Sequence, residues 1–244
     1  SDDEGKTWSE GVAVDPHFAV SRNNTARVLK SGRVIIPTFK WISAYAGGIS
    51  EAAGRGMSYS WTYFSDDEGR NWKSSHSELV VSIDDGKGGR YDFEEPALEE
   101  LADGRLLMIG RTELGRPYKS YSTDEGSSWS WPEPMPVASA YAPTDLRRIP
   151  GTGDLLMTWN QCTPLEIESG LSRHRLTCAI SSDDGMTWGH FKNLESLDDR
   201  SQIDPPPESP VRVYRTQPLR NPMDKEKYPH APGPVRVCYP SFAF

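Results

Sequence analysis

Four octets in this chain share the form S-x-D-x-G-x-x-W: SDDEGKTW at 1–8, SDDEGRNW at 65–72, STDEGSSW at 122–129 and SSDDGMTW at 181–188. Their starts lie 64, 57 and 59 residues apart. One such octet is a weak signal. Four at a nearly constant period demand a repeated architecture, because each match fixes four residue types at once. The octet reads as a hairpin braced by its own side chains. Ser and Asp hydrogen-bond to nearby backbone groups and stabilise turns. Gly supplies a positive φ, and Trp covers the bend with a large apolar ring. The octet aspartates are therefore expected to be structural rather than catalytic.

A second repeat lies between the octets. SGRVII at 31–36, DGRLLM at 103–108 and GDLLM at 153–157 each read as a tight turn entering an apolar strand. Strands are expected before these turns at 26–29, 97–101 and 145–149. Others lead into the octets at 58–64, 118–121 and 176–180, and follow them at 79–83, 135–137 and 191–194. Each unit then has four strands, and four-stranded units repeated radially are the blades of a β-propeller. The 21 Gly, 20 Pro, 8 Trp, 10 Tyr and 7 Phe suit short strands joined by turns and disfavour long helices. Three units are complete and are flanked by partial ones. Six such blades would need roughly 360 residues. The expectation is an all-β, six-bladed propeller present in part, about four blades, as one domain over 1–244 that is incomplete at both ends. A Pro-rich insert at 195–235, with nine prolines between 205 and 234, cannot pair as a central strand. It reads as a loop packed over one face or as a mobile surface excursion.

The net charge of −8, from 27 basic and 35 acidic residues, argues against a nucleic-acid face. No apolar run reaches the roughly 18 residues of a membrane span. Cys162, Cys178 and Cys238 lack metal spacing and read as free thiols. They leave the compartment open, with an extracellular or periplasmic one preferred. The scattered histidines suggest no metal site.

Strand counting predicts where chemistry can gather. The start of strand one, the end of strand two and the start of strand three share the edge opposite the octets. Trp41, Glu94, Glu95, Arg111, Asp145, Asn160, Arg173, Arg175 and Tyr239 fall there.

The octets are Asp boxes, and the chain resembles the sialidases (neuraminidases) of the BNR-repeat superfamily. In EEPALEELADGRLLMIGRT a Glu opens strand one and an Arg closes strand two, sixteen residues on if the Glu is Glu95. This is similar to the family's catalytic Glu followed by its second carboxylate-binding Arg, and makes Arg111 the candidate. Glu94 competes with Glu95, which is preferred. In SRHRLTCAISSDDG, Arg173 with Leu176 resembles the R-x-x-L run that holds the third Arg, with Arg175 as the competitor. In VCYPSFAF, Tyr239 looks like the Tyr-Ser nucleophile segment, although Pro240 separates it from Ser241.

The resemblance implies an exo-α-sialidase, a retaining hydrolase acting on sialylated glycans without a cofactor. Tyr239 and Glu95 would be catalytic. Arg111, Arg173, Arg175, Asn160 and Trp41 would bind substrate. The family's first Arg and its acid/base Asp are implied to lie ahead of the first octet. The residue types suit the substrate. A guanidinium fork meets a carboxylate with paired, charge-assisted hydrogen bonds. A Tyr nucleophile avoids the repulsion that a carboxylate would meet at an anionic centre. The alternative is a non-catalytic Asp-box propeller binding glycans or proteins through Trp41, Tyr91, Tyr141 and Trp159, or another glycosidase on the same scaffold.

Overall fold

The computed structural model describes residues 1–15, 25–42, 57–83, 89–168, 171–207, 214, 237–241 and 244, with backbone alone at 41, 42 and 57. The described residues form an all-β structure of antiparallel sheets. The first sheet is a meander of β1 (Arg27–Val28), β2 (Val34–Ile42), β3 (Met57–Ser65) and β4 (Lys73–Ser74). The second runs through β7 (Glu94–Glu100), β8 (Leu106–Arg111), β9 (Tyr118–Ser122) and β10 (Glu133–Pro134). The third runs through β11 (Asp145–Arg148), β12 (Leu155–Asn160), β13 (Leu176–Ser181) and β14 (Gly189–Glu195). A hairpin of β5 (Val81–Ile83) and β6 (Gly89–Tyr91) links the first two sheets.

The sheets pack face to face, so the middle strands are buried on both sides. In β8 the period-two geometry of a strand sends Leu106 and Met108 into a core shared with Ile35, Phe64 and Phe93. Leu107 and Ile109 point the other way, into a core with Leu146, Leu155, Met157 and Trp159. This explains the unbroken apolar run after Asp-Gly. Each such side chain contributes about 1.5–3 kcal/mol when fully buried.

The expected first, second and third strands of each unit coincide with observed ones. Two of the expected fourth strands do not close their sheets. The first sheet closes with Lys73–Ser74, which pairs with Phe64 and Tyr63, and Leu79 adds only an isolated bridge to Ser60. Residues 81–83 turn away to pair with β6. Likewise Glu133–Pro134, not 135–137, pairs with Lys119 and Tyr118, because Met135 and Val137 are apolar and sink into the core instead. A five-residue helix α1 (Pro164–Glu168) was not foreseen. Its sequence signature is a capping box: Thr163 Oγ1 accepts from the Glu166 N–H at 3.2 Å, and Glu166 Oε2 accepts from the Thr163 N–H at 2.7 Å. Most of the Pro-rich insert lies outside the described residues. Of the part that is described, the Ile203 N–H and the Ser201 carbonyl are both held by the Gln161 side chain.

Candidate active site

At the sheet ends opposite the Asp boxes, β7, β8, the β12–β13 connection and residues 237–241 come together. The pairing of β7 with β8 sets the first feature. Glu94 lies opposite Arg111, but the next pair is Ala97 with Ile109, so β7 carries one extra residue. The bulge falls on Glu95 and Pro96, where proline has no N–H for the ladder. Glu95 adopts φ 45°, in the left-handed region. That conformation is unfavourable for a non-glycine residue, the more so before a proline. The bulge aims neighbouring carboxylates differently around one guanidinium. Gly110 allows the close packing beside it: a Cβ there would meet the Phe93 ring at 2.6 Å.

Arg111 holds both carboxylates. Its Nε and Nη2 donate to Glu94 Oε1 at 3.0 and 2.7 Å. Its Nη1 stands 2.7 Å from Glu95 Oε2. Burial opposes the charge on Arg111, but the fields of Glu94 and Glu95 overcome it and hold the guanidinium firmly protonated. For Glu94, burial is the largest influence and pushes its carboxyl up. Arg111 pulls it back, while Asp92 and Glu95 add to the rise.

Tyr239 donates its phenolic O–H to Glu95 Oε1 at 2.9 Å. Its side chain is accessible, with 49% of the residue exposed. Like Glu95 it precedes a proline and has a positive φ, 57°. Both ends of this hydrogen bond therefore rest on backbone that costs of order 1–3 kcal/mol to hold. Arg173 lies with its Cζ 5.4 Å from the centroid of the Tyr239 ring. Its main-chain carbonyl accepts from the Val237 N–H at 2.9 Å.

The structure thus brings Glu95, Arg111, Arg173 and Tyr239 into one group, with Glu94 on the far side of Arg111. It does not bring Arg175 there. Arg175 is fully buried and engages Glu166 at 3.1 Å and Asp198 at 2.7 Å. Burial opposes ionisation of Glu166, yet the hydrogen bonds from His174 and Arg175 hold its carboxyl well below the usual range. Arg175 anchors α1 and the connection after β14. Asn160 is also fully buried. Its Nδ2 donates to the carbonyls of Arg175 at 3.0 Å and Val237 at 2.7 Å, so both amide hydrogens face main chain. The Trp41 side chain lies outside the described residues. Trp159 is a core residue, and Tyr141 carries Arg111 on its ring, Cζ 4.3 Å from the centroid. Neither is an open stacking platform. Asp92 and Tyr141 were missed as partners. Tyr141 Oη donates to Asp92 Oδ2 at 3.0 Å, and Asp92 Oδ1 accepts from the Ser58 N–H at 2.7 Å. Only the crowding of acidic residues in DFEE hinted at them.

A repeated Asp-box sheet with an arginine, carboxylate and phenol group at its opposite end defines the class. The chain belongs to the BNR repeat-like domain family, matched over residues 1–242. A search of the curated proteins returns no match. Among solved structures, a Hadza microbial sialidase is similar at 19% identity and TM-score 0.56, over 81% of this chain and 36% of that one. The intramolecular trans-sialidase from Ruminococcus gnavus, in complex with oseltamivir carboxylate, is similar at 21% identity and TM-score 0.53, over 84% of this chain and 40% of that one. A Dyadobacter fermentans protein of unknown function is similar at 17% identity and TM-score 0.44, over 69% of this chain and 49% of its own. The chain spans between about a third and a half of these structures. The likeness to the two sialidases is one of fold, a propeller-like array of four-stranded sheets.

Proposed function

We infer that this chain carries the nucleophile and part of the carboxylate clamp of an exo-α-sialidase built on a six-bladed propeller. The enzyme releases terminal sialic acid from glycoconjugates with retention. The observation that carries this reading is the hydrogen bond from Tyr239 to Glu95 beside Arg111. A phenol is a poor nucleophile at neutral pH until a base takes its proton. Glu95 Oε1 is placed to take it as the phenolic oxygen attacks the anomeric carbon. The bond to the aglycone oxygen breaks as that oxygen takes a proton from the acid/base Asp that the family resemblance implies ahead of the first octet, and an aryl ketal forms between Tyr239 and the anomeric carbon. Water then attacks the anomeric carbon and gives its proton to the same acid/base Asp, now a carboxylate, while the phenolic oxygen leaves and recovers a proton from Glu95. Arg111 and Arg173 hold the substrate carboxylate and orient the ring. Arg111 also tethers Glu95, so the base and the clamp share one part.

The test is hydrolysis of a fluorogenic sialoside by the full-length protein and its Tyr239→Phe variant. Turnover by the wild type and a loss of at least about a thousandfold in kcat for the variant are expected, as for removal of a covalent nucleophile. An active variant, or a wild type that cleaves uncharged glycosides and not sialosides, would overturn the assignment.

A further inference from the structure

We propose that Tyr141 is the positioning residue of the arginine clamp, fixing Arg111 through its ring and Arg173 through its main-chain carbonyl. The inference rests on the sialidase reading of the site and names the part that prepares it for an anionic substrate. Arg side chains have several rotatable bonds, and a bidentate grip on a carboxylate needs the guanidinium plane set beforehand. Glu94 fixes Arg111 within its plane through Nε and Nη2, and Glu95 Oε2 stands against Nη1 as an ion pair. The in-plane bonds to Glu94 do not restrain tilting of that plane. The Tyr141 ring does, lying 4.3 Å from Cζ at its centroid. On the other side, Arg173 Nη2 donates to the Tyr141 carbonyl at 3.3 Å. One residue therefore touches both arginines, which come from different sheets.

Tyr141 is itself held from two directions. Its hydroxyl donates to Asp92, which accepts a main-chain N–H from β3 in the first sheet. The backbone beside it is fixed from the third sheet, where the Asn160 carbonyl accepts from the Ala140 N–H at 3.0 Å. The residue is only 7% exposed and lies in the connection between β10 and β11. Movement of any one sheet would reach both guanidinium groups through it.

The readout is discrimination between an acid and its neutral counterpart. Affinities of the full-length protein for free sialic acid and for its carboxamide are measured by calorimetry. The wild type is expected to prefer the acid about a hundredfold, the scale of charge-assisted bidentate recognition. Tyr141→Leu removes the ring and should lower that preference about tenfold, with carboxamide affinity within about twofold of wild type. Tyr141→Phe keeps the ring and loses the Asp92 bond, so it should retain most of the preference, as should Asp92→Asn. Equal losses for both ligands in Tyr141→Leu, or an unchanged preference, overturn the proposal. Should that variant not fold, Tyr141→Met, which fills similar space without a ring, takes its place. A loss of preference of about tenfold there, with the Phe variant unchanged, is expected. An unchanged preference in the Met variant overturns the proposal. A wild type with no preference for the acid sinks the sialidase reading itself, and this inference with it.

Discussion

The Asp-box ends of the sheets and their opposite ends follow different rules. In all four boxes the Gly N–H donates to the Ser Oγ at 2.8 Å. The Asp Oδ2 accepts from Thr7, Asn71, Ser128 or Thr187 at 2.6–2.7 Å. Even the residue before each Gly has the same left-handed backbone, φ 53° to 60°. Among the described residues, the opposite ends differ from sheet to sheet. Arg111 closes β8 among carboxylates, while Asn160, closing β12, grips main-chain carbonyls. Repetition marks what every sheet needs in order to fold. The proposed chemistry sits where the repeat is broken, as at the bulge that turns Glu95 toward Tyr239.

This contrast predicts that changes at one end alter activity with little effect on stability, and the reverse at the other. The largest effect is expected for Glu95→Gln. It should lower kcat by about 10²–10⁴, the usual contribution of a general base, while the melting temperature stays near that of wild type. Sialoside kinetics and a thermal melt on the same sample check both halves. Full activity in Glu95→Gln would move the base elsewhere, with Glu94 the first alternative.

The boxes differ among themselves in one respect. The box at 122–129 is fastened to the first sheet: Trp129 Nε1 donates to Thr62 Oγ1 at 3.2 Å, and Thr62 Oγ1 donates to the Gly126 carbonyl at 2.7 Å. The box at 181–188 is fastened to the second through Asp184, which accepts from the Ala102 N–H and pairs with Arg148 at 2.8 Å. Trp129 is 8% exposed, whereas Trp8 is 79% exposed. Gly126 and Gly69 have nearly equal φ, 84° and 85°. A Cβ at 126 would meet Ile35 at 2.2 Å, and one at 69 only the Trp72 ring at 3.5 Å. Gly69→Ala should cost about 1 kcal/mol for the backbone alone. Gly126→Ala adds overpacking and should cost about 2–4 kcal/mol. Urea denaturation reads the difference, and equal costs would mean that the box does not clamp neighbouring sheets.

The sequence revealed most of the repeating half and less of the rest. The octets and the glycine turns between them are local signals, so ten strands could be placed by counting. The fourth strands of the first two sheets were misplaced because Leu79 and Met135 are core side chains arriving from loops and Val81 belongs to the linking β5–β6 hairpin. At the other end, Glu95, Arg111, Arg173 and Tyr239 could be singled out by spacing and resemblance. Asn160 and Arg175 share the right sheet ends, but the direction in which a long side chain points depends on packing. Arg175 turned inward because Glu166 and Asp198, supplied by a helix and a loop, wait there. Tyr141 could be picked out only as one of four aromatics near the same sheet ends, since its proposed role depends on two arginines distant in the chain.

The smallest effect separates the two ends by the sign of their pH dependence. Thr187 donates to Asp183 from side chain and backbone and holds its pKa at about 2, against 3.8 unperturbed; Asn71 does the same for Asp67. The unfolded chain thus takes up these protons first as pH falls. Stability from the boxes is complete above about pH 4 and lost toward pH 2. Glu94 behaves in the opposite way. Its folded carboxyl holds a proton more tightly than the unfolded one, chiefly through burial, so its contribution is complete below its ordinary value of 4.5 and declines as pH rises above it. Asp183→Asn should flatten the acid limb of a melting curve series, and Glu94→Gln the limb above pH 4.5, each by about 2–4 °C in a domain of this size. If both variants act on the same limb, the ends of the sheets do not differ electrostatically in the way their geometry requires.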